Sequence, residues 1–217
     1  MKTGIIASIG VVGAGATAGG AYLITRNNSL SIEQLISKSI NKIPVTKDSD
    51  WTTLWNAYKQ ENSGKGVGED SWKLAEWKDS NNPTNIPNSY KTKCSSLLKE
   101  KVSDDKDPKY LEFLKMCSRN KTMGDLLKGS TLLGTETGNK DKWKAKFRNY
   151  QQGKKNDGSY PIDGITLAEG DKDTDDNHLK KLQDGCNSEW NKTVTGNETN
   201  AYLESLKKWC SAEVILN

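Results

Sequence analysis

Four cysteines constrain this 217-residue chain most, because they fall in two pairs of nearly equal spacing. Cys94 and Cys117 bracket CSSLLKEKVSDDKDPKYLEFLKMC, and Cys186 and Cys210 bracket CNSEWNKTVTGNETNAYLESLKKWC. Each segment reads as two short helical patterns joined by a turn. In an antiparallel helical hairpin the start of the first helix lies beside the end of the second, which is where each pair stands. The geometry therefore favours disulfides Cys94–Cys117 and Cys186–Cys210, each loop worth roughly 3–4 kcal/mol in the chain-entropy model. Buried free thiols are the alternative, and oxidation requires an exterior location. Separations of 23 and 24 without a C-x-x-C argue against zinc.

Such a location is offered by the N-terminus. Residues 3–25, TGIIASIGVVGAGATAGGAYLIT, form a 23-residue run without charge. About 20 apolar residues suffice to cross a bilayer at ~1.5 Å per residue. Residues 1–26 are read as an uncleaved membrane anchor or, second, as a cleaved signal segment. Gly13, Gly15 and Gly19 approach a dinucleotide-binding turn. The last glycine comes one place late, however, and no alternation of strand and helix follows. Small residues in a membrane segment explain the same letters. Lys2 on one side and Arg26 and Lys38 on the other leave the orientation undecided by charge.

The rest reads as mainly α, in two related helical units at 27–121 and 122–217. In the first, Ser31 and Gln34 form a capping box, and Ile32, Leu35, Ile36, Ile40 and Ile43 share one helical face up to Pro44. A second helix, capped by Ser49 or Asp50, aligns Trp51, Trp55 and Tyr58 as a structural aromatic stripe. A weaker helix carries Trp72 and Trp77. Asp107-Pro108 then caps the return helix of the hairpin.

A shift of 92 places Trp51 on Trp143, Trp55 on Phe147, Tyr58 on Tyr150 and Cys94 on Cys186. One further residue brings Cys117 onto Cys210. The pattern reads as a tandem duplication with a period of about 92. It also supplies a control on charge. Residues 140–155 carry seven positives and one negative around Trp143, Phe147 and Tyr150, whereas 48–63 keep the rings with three negatives and one positive. The rings follow the fold and the charge is free surface, so no nucleic-acid partner is expected. The chain's net charge of +4 gives no mandate for one either. The acidic run at Asp171, Asp173, Asp175 and Asp176 opens like a calcium loop but lacks its glycine and final glutamate; helix capping near His178 is the expected role. His178 is the only histidine and no motif surrounds it. No catalytic residue, cofactor or metal ligand is assigned.

The start MKTGIIASIGVVGAGATAGGAYLI, the helix SIEQLI, the W-x-x-x-W-x-x-Y block at Trp51 and the phrase LKKWC at 206–210 resemble the large paralogous protein families of hemotropic mycoplasmas. The resemblance spans nearly the whole chain. It implies a surface-exposed or secreted protein of unassigned biochemistry, one of many variants that diversify what host immunity sees. The expected function is thus non-enzymatic: a surface antigen held at the membrane by its N-terminal segment, or secreted, touching host cell or host protein. Alternatives are a cytoplasm-facing membrane-tethered scaffold with free thiols and, last, a nucleotide-dependent enzyme.

Overall fold

The structure is a computed structural model that describes residues 29–78 and 85–216. In chain order its elements are β1 (Leu30–Ser31), α1 (Ile32–Ile36), β2 (Lys42–Pro44), α2 (Asp48–Glu61), α3 (Asn88–Lys99), β3 (Lys101–Val102), α4 (Pro108–Cys117), β4 (Ser118–Asn120), α5 (Met123–Leu126), a 3-10 turn (Thr137–Asn139), α6 (Lys140–Gln152), α7 (Asp176–Asn191) and α8 (Asn200–Cys210). Mainly α is therefore correct. The anchor or signal segment at 1–26 lies outside the described residues. Among the described residues no helix is long and apolar enough to cross a membrane.

Local chemistry starts several helices where the sequence places them. The Ser31 hydroxyl accepts from the Gln34 N–H (3.2 Å) while the Gln34 side chain accepts from the Ser31 N–H (2.9 Å), so two orphan donors of α1 are satisfied reciprocally. Asp107 caps α4, accepting from the Lys109 N–H at 3.0 Å, with Pro108 at the first helical position. Thr199 caps α8 and Asp175 caps α7.

Three expectations are corrected. The helix from Ser31 does not run to Pro44; it stops at Ile36, and Ile40 is 67% exposed. Residues 42–44 instead form a strand paired antiparallel with β4, Ile43 opposite Arg119. The isoleucine spacing matched a helical face, but a ladder to a segment far along the chain satisfies this backbone instead. Neither Ser49 nor Asp50 caps α2, which starts at Asp48 after Lys47 and puts Asp48 and Asp50 in its first turn. Trp72 and Trp77 sit on no helix. Residues 70–77 form successive turns (Lys73 N–H to Asp70 O, Trp77 N–H to Leu74 O, both 3.0 Å), with Lys73 at φ 51°.

The buried side chains form two clusters with no member in common. One gathers Ile32, Ile36, Trp55, Tyr58, Trp77, Tyr90, Phe113 and Cys117 among others; the second gathers Leu133, Trp143, Phe147, Tyr150, Ile162, Leu182, Leu206 and Cys210 among others. Each is closed by a disulfide-linked helix pair. Cys94 on α3 meets Cys117 at the end of α4 with 5.5 Å between Cα atoms, and Cys186 on α7 meets Cys210 at the end of α8 with 5.4 Å. The same backbone bonds recur around both. Ile32 N–H donates to Glu100 O (3.0 Å), and Met123 N–H to Lys192 O (2.9 Å). Val45 N–H donates to Cys117 O (3.0 Å), and Leu133 N–H to Cys210 O (2.9 Å).

Candidate functional site

The two predicted aromatic stripes are both core. On α2, Trp55 and Tyr58 are fully buried and stacked at 5.5 Å, with Trp77 and Tyr90 set edge-on against them. Trp51 is half-buried, edge-on to Tyr90 at 6.2 Å. The Tyr58 hydroxyl donates to Asp70 Oδ2 (2.5 Å) and accepts from the Trp72 N–H (2.9 Å), which pins the 70–77 turns to α2. Burial first, then the bond to Asp70, raises the Tyr58 phenol above its usual range. On α6, Trp143, Phe147 and Tyr150 are buried, Tyr150 stacking on Tyr160 at 5.2 Å. Trp143 Nε1 donates to Gly134 O (2.8 Å), and the Tyr150 hydroxyl to Ile165 O (2.9 Å). None of these rings is presented as a platform for a ligand.

The basic stretch on α6 and the acidic run that leads into the first residue of α7 face one another. Lys140 pairs with Asp176 (2.7 Å) and Arg148 with Asp173 (2.6 Å), while Gln151 donates to the Asp171 carbonyl (2.8 Å). Asp171 is itself buried, accepts from Lys181 (2.7 Å) and from the Ala168 N–H (2.8 Å), and has His178 Nε2 at 3.3 Å. His178 Nδ1 accepts from the Lys172 N–H at 3.0 Å. The charge on α6 is therefore not all free surface. Lys146, within that stretch, is only 2% exposed. Its ammonium donates to the carbonyls of Lys208 and Val214, both at 2.9 Å, and so holds the segment after α8 against α6. Burial pushes Lys146 down to about 8, against a smaller upward pull from Glu213.

The feature that sequence reading missed lies where the two cores meet. Arg119, on β4, is ion-paired through Nε with Asp50 of α2 (2.8 Å). It also makes a bidentate contact with Asp125 of α5 (2.5 and 2.8 Å). A planar guanidinium fork suits this double task as lysine would not. The one signal available was rarity, since arginine occurs three times in the sequence, at 26, 119 and 148. Burial alone would raise the Asp125 carboxyl, but Arg119 and the Thr122 N–H (2.8 Å) hold it down at about 2. Gly124 lets α5 lie close on α7, because a Cβ there would fall 2.0 Å from Trp190 Nε1.

Beside this clamp runs a cavity of about 360 Å³, walled by α1, β2 and α5. Ile36, Ile43, Pro44 and Leu126 line it with aliphatic surface; Lys42, Lys121, Lys128, Glu33 and Asp125 carry its charge. Lys121 Nζ donates to Ser39 O at 2.5 Å, and its backbone joins the cores, N–H to Asn41 O and carbonyl from Val194 N–H, both at 2.9 Å.

Comparison with known protein families, characterised proteins and solved structures finds no match to this chain.

Proposed function

We propose that this is a non-enzymatic protein of the cell exterior, anchored in the membrane by its N-terminal segment or secreted. In this reading it is a variable surface antigen that touches host cell or host protein through its loops and charged faces. It arose by tandem duplication of one disulfide-closed helical unit, at 27–121 and 122–217. The observation that carries the reading is the pairing of all four cysteines within their own hairpins, each buried to 3% exposure or less. Disulfides of this kind persist in oxidising compartments and are rare in the cytosol. The charge-free run at 3–25 and the resemblance to the hemotropic mycoplasma families support the same placement. The recurrence of the hairpin, of the ring stripe and of the backbone bonds that flank each supports the duplication.

Protease treatment of intact cells tests the placement. The protein is expected to be removed from intact cells; survival there with loss only after lysis contradicts the exterior reading and favours the cytoplasm-facing scaffold.

A further inference from the structure

The cavity at the junction of the two cores has a chemistry that the fold itself does not need. Its apolar lining is aliphatic throughout, Ile36, Ile43, Pro44 and Leu126, with no ring on which a base or sugar could stack. At about 360 Å³ it falls within the range of small-molecule sites, and it lies at an interface between cores, where such sites concentrate. Its charges divide into two kinds. Asp125 is neutralised by Arg119, and Lys121 is held by the Ser39 carbonyl. Lys42 and Lys128 have no carboxylate within ion-pair distance among the described residues, and Glu33 is the one lining acid without an ion pair there. Two free ammonium groups lining one cavity with four aliphatic side chains are complementary to an anionic head on an aliphatic chain.

The second hairpin serves as a control. The strand that carries Lys42 places Pro44 opposite Ser118, and the matching bridge of the second core places Leu132 opposite Ser211. Two residues before Leu132 stands Ser130, where the first core has Lys42. The isolated bridge of the second core therefore forms with serine two residues before it, so the bridge itself does not require a lysine there.

From this geometry we infer that the junction cavity binds a medium-chain fatty carboxylate, its chain along Ile36, Ile43, Pro44 and Leu126 and its carboxylate between Lys42 and Lys128. The inference does not rest on the exterior placement of the protein. Titration of the full chain with decanoate, followed by calorimetry, tests it. Saturable binding at one site is expected, weakened roughly tenfold by K42E/K128E. It should be abolished by Ser37→Trp, which places a large ring at the cavity wall from an exposed helix end. Decanol, which has the chain without the charge, should bind more weakly than decanoate. Absence of saturable binding, equal affinity for decanol, or decanoate affinity unchanged in both variants would each overturn the assignment. Circular dichroism of the variants separates loss of the site from loss of the fold.

Discussion

Removing one disulfide at a time should melt one core at a time. In C186A/C210A the closed loop of the second core, 24 residues in separation, is opened. The chain-entropy relation puts the loss at about 3.5 kcal/mol at 25 °C. Both cysteines are fully buried, so the cavity left by two sulfur atoms adds to that figure. For a unit of 60–100 residues each kcal/mol lowers Tm by about 4–8 °C, so the second core should melt roughly 14–28 °C earlier. The first cluster shares no buried residue with the second and keeps Cys94–Cys117, so its transition should stay near the parent temperature. Scanning calorimetry reads both at once, and C94A/C117A should reverse the order. A Tm within about 2 °C of the parent in both variants would refute the argument that these clasps hold the cores. One transition shifted by half as much would show that the cores unfold as a unit.

Three further predictions concern single side chains. Lys146 titrates at about 8 when folded and near 10.5 when unfolded, so between those values the unfolded chain holds more protons. Stability should then rise with pH from about 8 toward 10, by up to about 3 kcal/mol. Denaturant melts of Lys146→Met should lose that slope; an unchanged slope assigns it elsewhere. Buried tyrosines such as Tyr90 and Tyr150 are pushed above 10, so both proteins should lose stability at higher pH. Asp125, held at about 2 against 3.8, contributes stability present above pH 4 that is lost as pH falls through 2. Asp125→Asn should cost about 2 kcal/mol at neutral pH and flatten the acid limb of the stability profile. Tyr58→Phe removes the hydroxyl that bridges Asp70 and the Trp72 N–H, at a cost of about 2–3 kcal/mol. Loss of amide protection at Trp72 in hydrogen exchange would locate the effect, and full protection there would contradict it.

Features governed by neighbouring residues were legible in the sequence. The Ser31–Gln34 box, the Asp107-Pro108 start and the ring spacing at Trp51, Trp55 and Tyr58 are fixed within one or two helical turns. The cysteine pairing was legible for the same reason, because a hairpin brings its ends together whatever surrounds it. What escaped depends on distant partners. Ile40 and Ile43 keep a helical period, yet residues 42–44 pair with 118–120. Lys146 looks like one more surface cation, but it meets carbonyls 62 and 68 residues further on. The sequence makes the basic stretch free surface and the acidic run a helix cap, although Arg148 reaches Asp173 across 25 residues. Arg119 belongs to the same class, since nothing near it announces that Asp50 and Asp125 converge on it. The junction cavity was illegible for that reason, as its walls come from α1, β2 and α5 together.

The exterior placement proposed above requires both hairpins to be closed by disulfides in the protein as the cell makes it. Peptide mapping without reduction tests it most directly, on protein alkylated at the moment of cell lysis. Linked peptides joining Cys94 to Cys117 and Cys186 to Cys210 are expected, with no alkylated cysteine. Four alkylated thiols, or links between the two hairpins, would contradict it.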